Sequence, residues 1–309
     1  MCVVVTLKEV VVSPAGSGTN NNNTQLFQIL YLCNKKMPGR GRAFVKTEVV
    51  SLRQPGHCTT VALPIVKDDE KDTCKLKRLL DRIINIKSPD DLQVQEVASE
   101  AKTLITKDED LRWFVDELCS YGYKDRVLTS VVAKLFGLIA HHQAGECKLL
   151  TVLMRRVQDE YNKRLDLVAE DRYRFVTSAL FLGEVYHNVK TEKMVSFKFL
   201  VNPVVTYLKM IIKPHLEDNP NENVDDDMII VSKQLLQSGI SLHDDQPSEI
   251  LTIVMTATEV LCCRQLSQQT RLSLVAALAE LWPCLVKGNV NMQTEHASLA
   301  AKLGVSLPI

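Results

Sequence analysis

The chain has 309 residues, of which 46% are apolar and 24% charged, and its formal net charge is zero. These proportions are typical of a soluble globular protein that buries a sizeable core. No apolar run approaches the ~18 residues that a membrane-spanning helix requires, and Lys8 and Glu9 interrupt the opening segment before a signal peptide could form.

The nine cysteines are scattered along the chain and form no Cys-x-x-Cys pair. Several of them lie on apolar stretches, where a free thiol packs like a small hydrophobic group. This usage favours a reducing compartment, and we therefore expect a cytoplasmic protein.

Residues 1–72 have no helical period and contain turn-rich pieces such as 13–18. Two runs, 3–12 and 26–32, have a strand-like composition, but two strands without a third are marginal in water. Residues 1–67 hold eight Lys or Arg against two acids. We therefore predict a basic, mostly disordered arm over 1–72.

From Lys75 onward the apolar residues recur with a period near 3.6, which is typical of amphipathic helices. The first such stripe consists of Leu76, Leu79, Leu80, Ile83 and Ile84. The pattern predicts about ten helices, over residues 75–84, 88–106, 108–121, 124–142, 145–165, 169–188, 200–212, 224–238, 248–263 and 266–281. Helix breakers separate them at Gly122, Gly145, Pro214, Pro220, Gly239 and Pro247.

Consecutive helices joined by short loops pack as antiparallel neighbours, and stacked hairpins of this kind form an α-solenoid. We therefore predict an all-α, right-handed solenoid over 73–285, followed by a tail or short helix at 286–309. No fixed repeat is visible in the residues themselves, so this prediction depends on helix and loop lengths alone.

The usual catalytic motifs are missing from the sequence, including phosphate-binding loops, HExxH and GxSxG. We therefore expect a protein that is not an enzyme and needs no cofactor. The best metal candidates are His141, His142 and Cys147, but adjacent histidines on a helix point about 100° apart. A solvated helix end is the favoured interpretation, and packing is favoured for Cys262 and Cys263.

An acidic run, Asp225 to Asp227, lies close to Glu217 and Asp218. It could attract a cation or a basic partner. The favoured interpretation is that it caps the following helix and lies in water.

A first set of candidate RNA contacts lies in the arm, at Arg40, Arg42, Lys46 and Arg53. The Gly-Arg-Gly-Arg tract at 39–42 is similar to short arginine/glycine segments that neutralise phosphates without reading sequence. The alternative is a tail that only increases solubility.

A second set of candidate RNA or partner contacts lies in the body, interleaved with two tyrosines that could stack on bases. It consists of Arg155, Arg156, Lys163, Arg164, Arg172 and Arg174, with Tyr161 and Tyr173 between them. The alternative is an ordinary exposed helix, in which Asp159 pairs with Lys163 and Glu160 pairs with Arg164 four residues later.

Residues 172–190 read Arg-Tyr-Arg-Phe, then Phe-Leu-Gly-Glu-Val-Tyr-His-Asn-Val-Lys. This segment resembles a helix of the middle domain of translation initiation factor four gamma, above all in poly(A)-binding-protein-interacting and cap-complex-dependent translation factors. Residues 200–205, Leu-Val-Asn-Pro-Val-Val, are similar to the next helix in small histone-mRNA translation members. Within these segments, Gly183 would let two helices approach closely, and Pro203 suits a first helical turn.

The resemblance covers roughly residues 75–285 and implies five stacked helix hairpins of the HEAT type without catalytic activity. It also implies a scaffold in mRNA translation that binds initiation factors, a DEAD-box RNA helicase, RNA or mRNA-bound proteins. The alternatives are a direct RNA-binding module and a solenoid adaptor in an unrelated pathway.

Overall fold

The structure is a computed structural model that describes residues 68–86, 91–216 and 224–286. The chain separates into two units, Met1–Val61 and Ala62–Ile309. The first unit lies outside the described residues, as does the tail after residue 286. The predicted arm over 1–72 therefore stays a prediction up to residue 67.

Eleven α-helices contain most of the described residues, which confirms the all-α prediction. They are α1 (Asp68–Ile84), α2 (Asp91–Leu104), α3 (Asp108–Gly122), α4 (Arg126–Ile139), α5 (Leu149–Asn162), α6 (Arg164–Glu170), α7 (Arg172–Asn188), α8 (Val201–Ile212), α9 (Val224–Asp245), α10 (Pro247–Cys263) and α11 (Gln268–Val286). Short 3-10 turns at Lys198–Leu200 and Lys213–Leu216 flank α8. Within the described ranges, none of these helices is long and apolar enough to cross a lipid bilayer.

Two aspartates fix the starts of central helices. Asp125 accepts hydrogen bonds from the backbone N–H groups of Val127 and Leu128, at 2.7 and 3.3 Å, and so caps α4. Asp171 accepts one from the N–H of Arg174 at 3.0 Å and caps α7. Both caps satisfy N–H groups that have no partner inside the helix.

The single helix predicted over 145–165 is wrong, because its first residues form a β-turn. Strands β1 (Gln143–Ala144) and β2 (Cys147–Lys148) pair around Gly145, whose φ is 55°. Asp108 at the start of α3 accepts hydrogen bonds from two backbone N–H groups of this turn, at 3.0 and 3.3 Å. The rest of the predicted helix belongs to two separate helices, α5 and the start of α6.

The predicted helix end at Gly239 is also wrong, since Gly239 lies inside α9. A Cβ atom at this position would lie 2.7 Å from a methyl carbon of Leu281 on α11. The glycine therefore allows close helix packing and does not end the helix.

The first helix starts earlier than predicted. Helix α1 begins at Asp68, before the predicted start at Lys75.

The helices pack in two rows. In the first row, α1, α3, α5, α8 and α10 follow one another, and Tyr161 of α5 contacts Tyr207 of α8 with 5.5 Å between ring centroids. In the second row, α2, α4, α7, α9 and α11 each pack against the next. Each helix also packs against its neighbour in the other row, so the core lies between the rows.

The two residues that the resemblance singles out have the expected positions. A Cβ atom on Gly183 of α7 would lie 2.5 Å from Cδ of Gln234 on α9, which confirms the predicted close approach. Gln234 in turn donates a hydrogen bond from Nε2 to the carbonyl oxygen of Ala179 at 2.7 Å. Pro203 lies in the first turn of α8, as predicted.

Candidate partner-binding surface

The arm residues Arg40, Arg42, Lys46 and Arg53 lie outside the described residues. Their contact with RNA therefore stays a prediction. The six basic residues of the body lie on or between α5, α6 and α7, where their surroundings can be described.

Three of the basic residues lie at the outer surface of the first row. Arg155 on α5 and Lys163, which follows α5, are exposed. Arg156 forms an ion pair with Asp116 of α3, with 3.0 Å between Arg156 Nε and Asp116 Oδ1. This pair joins two neighbouring helices of the row.

Glu160 does not form the predicted pair with Arg164. The Arg164 guanidinium instead lies over the Tyr161 ring, 4.2 Å from its centroid, and donates to the Tyr161 carbonyl oxygen. Glu160 is only 3% exposed and accepts hydrogen bonds from Arg174 Nε and Nη2, at 2.8 and 3.0 Å. Ser178 donates a third, and the bond to Glu160 raises the pKa of Arg174. The partner is Arg174 because α7 packs over the buried carboxylate.

The acidic run at 225–227 was predicted to lie in water, and this is wrong for Asp227. Its side chain is 1% exposed and accepts a hydrogen bond from Arg172 of α7. The Nε2 atom of buried His215 lies 2.8 Å from Asp227 Oδ2. Arg264 Nε donates to the carbonyl oxygen of His215 at 2.7 Å. The carboxylate therefore joins the start of α7 to the segment after α8, and the His215 carbonyl joins that segment to the residue after α10.

The other two acids of the run connect helices of the second row. Asp226 is exposed and pairs with Arg126 of α4 at 3.3 Å. Asp225 accepts a hydrogen bond from the backbone N–H of Ser267, just before α11, at 2.8 Å. Hydrogen bonds from Thr270 and Ser267 hold the pKa of Asp225 below its ordinary value of 3.8.

Glu184 of α7 is the third buried carboxylate, with a side chain that is 1% exposed. Lys233 of α9 lies 2.6 Å from its Oε1, and Ser130 of α4 donates to the same oxygen at 3.0 Å. Asn188 donates to the second oxygen at 3.1 Å. Lys233 also donates to Ser130 Oγ at 2.7 Å, so this cluster joins α4, α7 and α9.

These clusters show what most charged residues of the 172–190 segment do. A buried carboxylate costs several kcal/mol unless a cation or several hydrogen bonds compensate it. Arg172, Arg174 and Glu184 therefore join neighbouring helices and are not free to meet a ligand. Sequence reasoning nominated the two arginines but missed their partners, because the partners come from other helices.

The exposed side of the second row carries large apolar side chains that are between 37% and 56% exposed. We call this group the apolar face, and it consists of Val127 and Leu138 on α4, Tyr173 on α7, and Ile229, Leu236 and Ile240 on α9. On α9 the spacings of seven and four residues place the three side chains on one side of the helix.

A hydrogen bond links two of the helices that carry the apolar face, α4 and α9. Lys233 lies between Ile229 and Leu236 along α9, and Ser130 lies one turn after Val127 on α4. The 2.7 Å hydrogen bond from Lys233 to Ser130 therefore places this part of α9 next to the start of α4. Exposed apolar side chains gain free energy when they are covered.

The candidate metal ligands have other surroundings. His141 is exposed, whereas His142 Nε2 lies 2.8 Å from the carbonyl oxygen of Ile105. Cys147 is partly buried on β2, and Cys262 is exposed. In the described part of the chain, no group of three His, Cys, Asp or Glu side chains is placed to hold a metal ion.

No protein family model matches the chain. The chain is similar to a curated protein of Xenopus tropicalis named "CBP80/20-dependent translation initiation factor". The two are 26% identical over 208 residues, which is 67% of this chain and 34% of the relative. The chain thus spans about a third of the length of that relative.

Proposed function

We propose that this chain is a non-enzymatic scaffold in mRNA translation or its regulation, which works in the cytoplasm without a cofactor. In this proposal it binds initiation factors, a DEAD-box RNA helicase or mRNA-bound proteins through the apolar face. The observation that carries the proposal is the similarity over 208 residues to a protein named as a translation initiation factor. The resemblance of residues 172–190 and 200–205 to translation-factor helices supports it from the sequence side.

The order of packing supports the solenoid part of the proposal. Helix pairs α1–α2, α3–α4, α5–α7, α8–α9 and α10–α11 each pack together, and each pair packs on the next. We propose that they form a right-handed solenoid of five HEAT-like hairpins, with α6 as an insertion in the third. Such an architecture gives a long flank on which other proteins can bind.

Direct RNA binding by the body is the less favoured function. Arg172 and Arg174 hold buried carboxylates, Arg156 holds Asp116, and Arg164 lies on Tyr161. Phosphate binding would have to break these contacts. If RNA binds directly, we expect the arm at 1–67 to bind it.

The test is affinity purification of the tagged 309-residue chain from cytoplasmic extract, with and without RNase. We expect initiation factors or a DEAD-box helicase to be recovered in both conditions, because a protein surface binds them. The matched control is a chain without residues 1–67, which should recover the same factors but bind single-stranded RNA less tightly at low salt. Recovery of no translation protein by the full chain would overturn the proposal.

A further inference from the structure

The loop after α7 is a compact turn held by hydrogen bonds. Lys190 and Ser196 form an isolated antiparallel bridge. Inside it, the N–H of Thr191 donates to the carbonyl oxygen of Val195 at 2.9 Å, and the N–H of Met194 donates to that of Thr191 at 2.8 Å. We call residues 190–196 the tip loop.

The base of the tip loop is fixed to the body. Lys190 Nζ donates to Ser196 Oγ at 2.6 Å and to the carbonyl oxygen of Tyr186 at 3.2 Å. Burial lowers the pKa of Lys190. Behind the loop, the rings of Phe197 and Phe199 lie 5.5 Å apart and are partly buried. These contacts fix the two ends of the loop to the body.

Met194 at the end of this loop is unfavourable in two ways. Its φ is 59°, and it is the single non-glycine residue with positive φ in the part of the chain that the structure describes. Its side chain is 78% exposed, the highest value among the large apolar residues described. Asparagine or glycine would tolerate this backbone better and would expose no thioether to water.

A strained residue that also exposes an apolar side chain at the tip of a hydrogen-bonded turn points to a binding role. Next to Met194, the side chain of Val195 is 52% exposed. Glu192 and Lys193 carry opposite charges, so the end of the loop has no net charge to attract nucleic acid or an anionic membrane. The two adjacent exposed apolar side chains would leave water if an apolar pocket of a protein covered them.

We propose that the tip loop inserts Met194 into an apolar pocket of a protein partner, with Val195 packing at the pocket rim. The inference rests on the proposed function, in which that partner is a translation factor. An unbranched, polarisable Met side chain adapts to the shape of a pocket. The hydrogen bonds of the turn restrict its conformations before binding, which lowers the entropic cost of association.

The test uses the full chain with Met194→Asn and, as the conservative control, Met194→Leu. Asparagine tolerates positive φ, so Met194→Asn should raise the thermal unfolding midpoint by about 2 °C. The same variant should recover at least about tenfold less translation factor from extract than the wild type. Met194→Leu keeps an apolar side chain and should retain most of the recovery.

The combination of higher stability and weaker binding is the expected result, and a merely structural role for Met194 would not produce it. Equal recovery by wild type and Met194→Asn would overturn the tip-loop inference and leave the translation scaffold standing. If the wild-type chain recovers no translation factor, both proposals fail together. Sedimentation of the wild type, but not Met194→Asn, with phosphatidylserine vesicles would show that the loop meets a membrane, and this too would overturn the inference.

Discussion

Some arginines of α5 and α7 pair with buried carboxylates, whereas others are exposed to water. Single alanine substitutions should distinguish the two by their effect on stability. Arg174→Ala leaves Glu160 buried without its cation, so we expect a loss of about 3 kcal/mol in the free energy of unfolding. This value is at the lower end of the cost of breaking a buried ion pair, since the Arg174 side chain is 38% exposed. Arg155→Ala removes an exposed charge and should change stability by less than about 0.5 kcal/mol. Urea unfolding at neutral pH measures both.

A double variant checks the cause of that loss. If the unpaired carboxylate is responsible, adding Glu160→Gln to Arg174→Ala should restore part of the stability, because a neutral amide costs less to bury. No recovery in the double variant would contradict this account.

Sequence reasoning found these positions and not their partners, for a physical reason. Charges four residues apart suggested that Glu160 meets Arg164, which is the rule for a solvated helix. Burial changes the outcome, because a desolvated carboxylate needs the bidentate guanidinium that α7 brings to it. Asp227 was misjudged in the same way, since nothing in its own helix shows that Arg172 and His215 lie beside it.

At the scale of helices, two glycines allow close packing but should differ in their tolerance of a methyl group. A Cβ atom on Gly137 of α4 would lie 2.5 Å from the backbone oxygen of Asn188, which cannot move without distorting the end of α7. We expect Gly137→Ala to cost about 2 kcal/mol. On Gly183 the new methyl group meets the end of the Gln234 side chain, which can withdraw.

Gly183→Ala should therefore cost less, about 1 kcal/mol. Gln234 is only 2% exposed, so its withdrawal breaks the hydrogen bond to Ala179 and leaves a buried amide unpaired, at a cost of about 2 kcal/mol, of which alanine regains about 1 kcal/mol over glycine in helix propensity. Thermal unfolding of the two variants under identical conditions measures the difference. Equal destabilisation by the two variants would mean that the Gln234 side chain yields no more easily than the backbone oxygen of Asn188.

Helix positions were largely predictable because each helix buries an apolar stripe that its own period reveals. The glycines were harder to interpret, since a glycine can end a helix, form the turn of a hairpin or allow a second helix to pack closely. Gly145 lies in the turn between β1 and β2, which Asp108 stabilises by a hydrogen bond. Gly239 leaves room for the side chain of Leu281 on α11. Both roles depend on residues far away in the chain, which no local pattern contains.

At the scale of the whole molecule, the all-α class followed from helix length and the scarcity of strand patterns. The apolar face did not follow, because helical periodicity identifies the buried stripe and leaves the exposed side undetermined. Ile229, Leu236 and Ile240 could have been assigned to the core from composition alone. Only the packing of α9 between α7 and α11 shows that these three side chains point outward.

A charge on the apolar face should therefore separate binding from folding. Leu236 is 45% exposed, so Leu236→Glu should lower the free energy of unfolding by only about 1 kcal/mol. The same variant should recover roughly fivefold less initiation factor or helicase, because a carboxylate cannot be covered by an apolar partner surface without a desolvation cost.

The matched control is Leu165→Glu on α6, which makes the same change at a side chain that is 63% exposed outside the second row. Quantitative mass spectrometry of the purified complexes, normalised to the tagged chain, compares the two variants. If both lose the partner equally, the contact is not specific to the apolar face. If neither loses it, the partner binds elsewhere, because a buried charge at the centre of a protein interface would not be tolerated without loss of affinity.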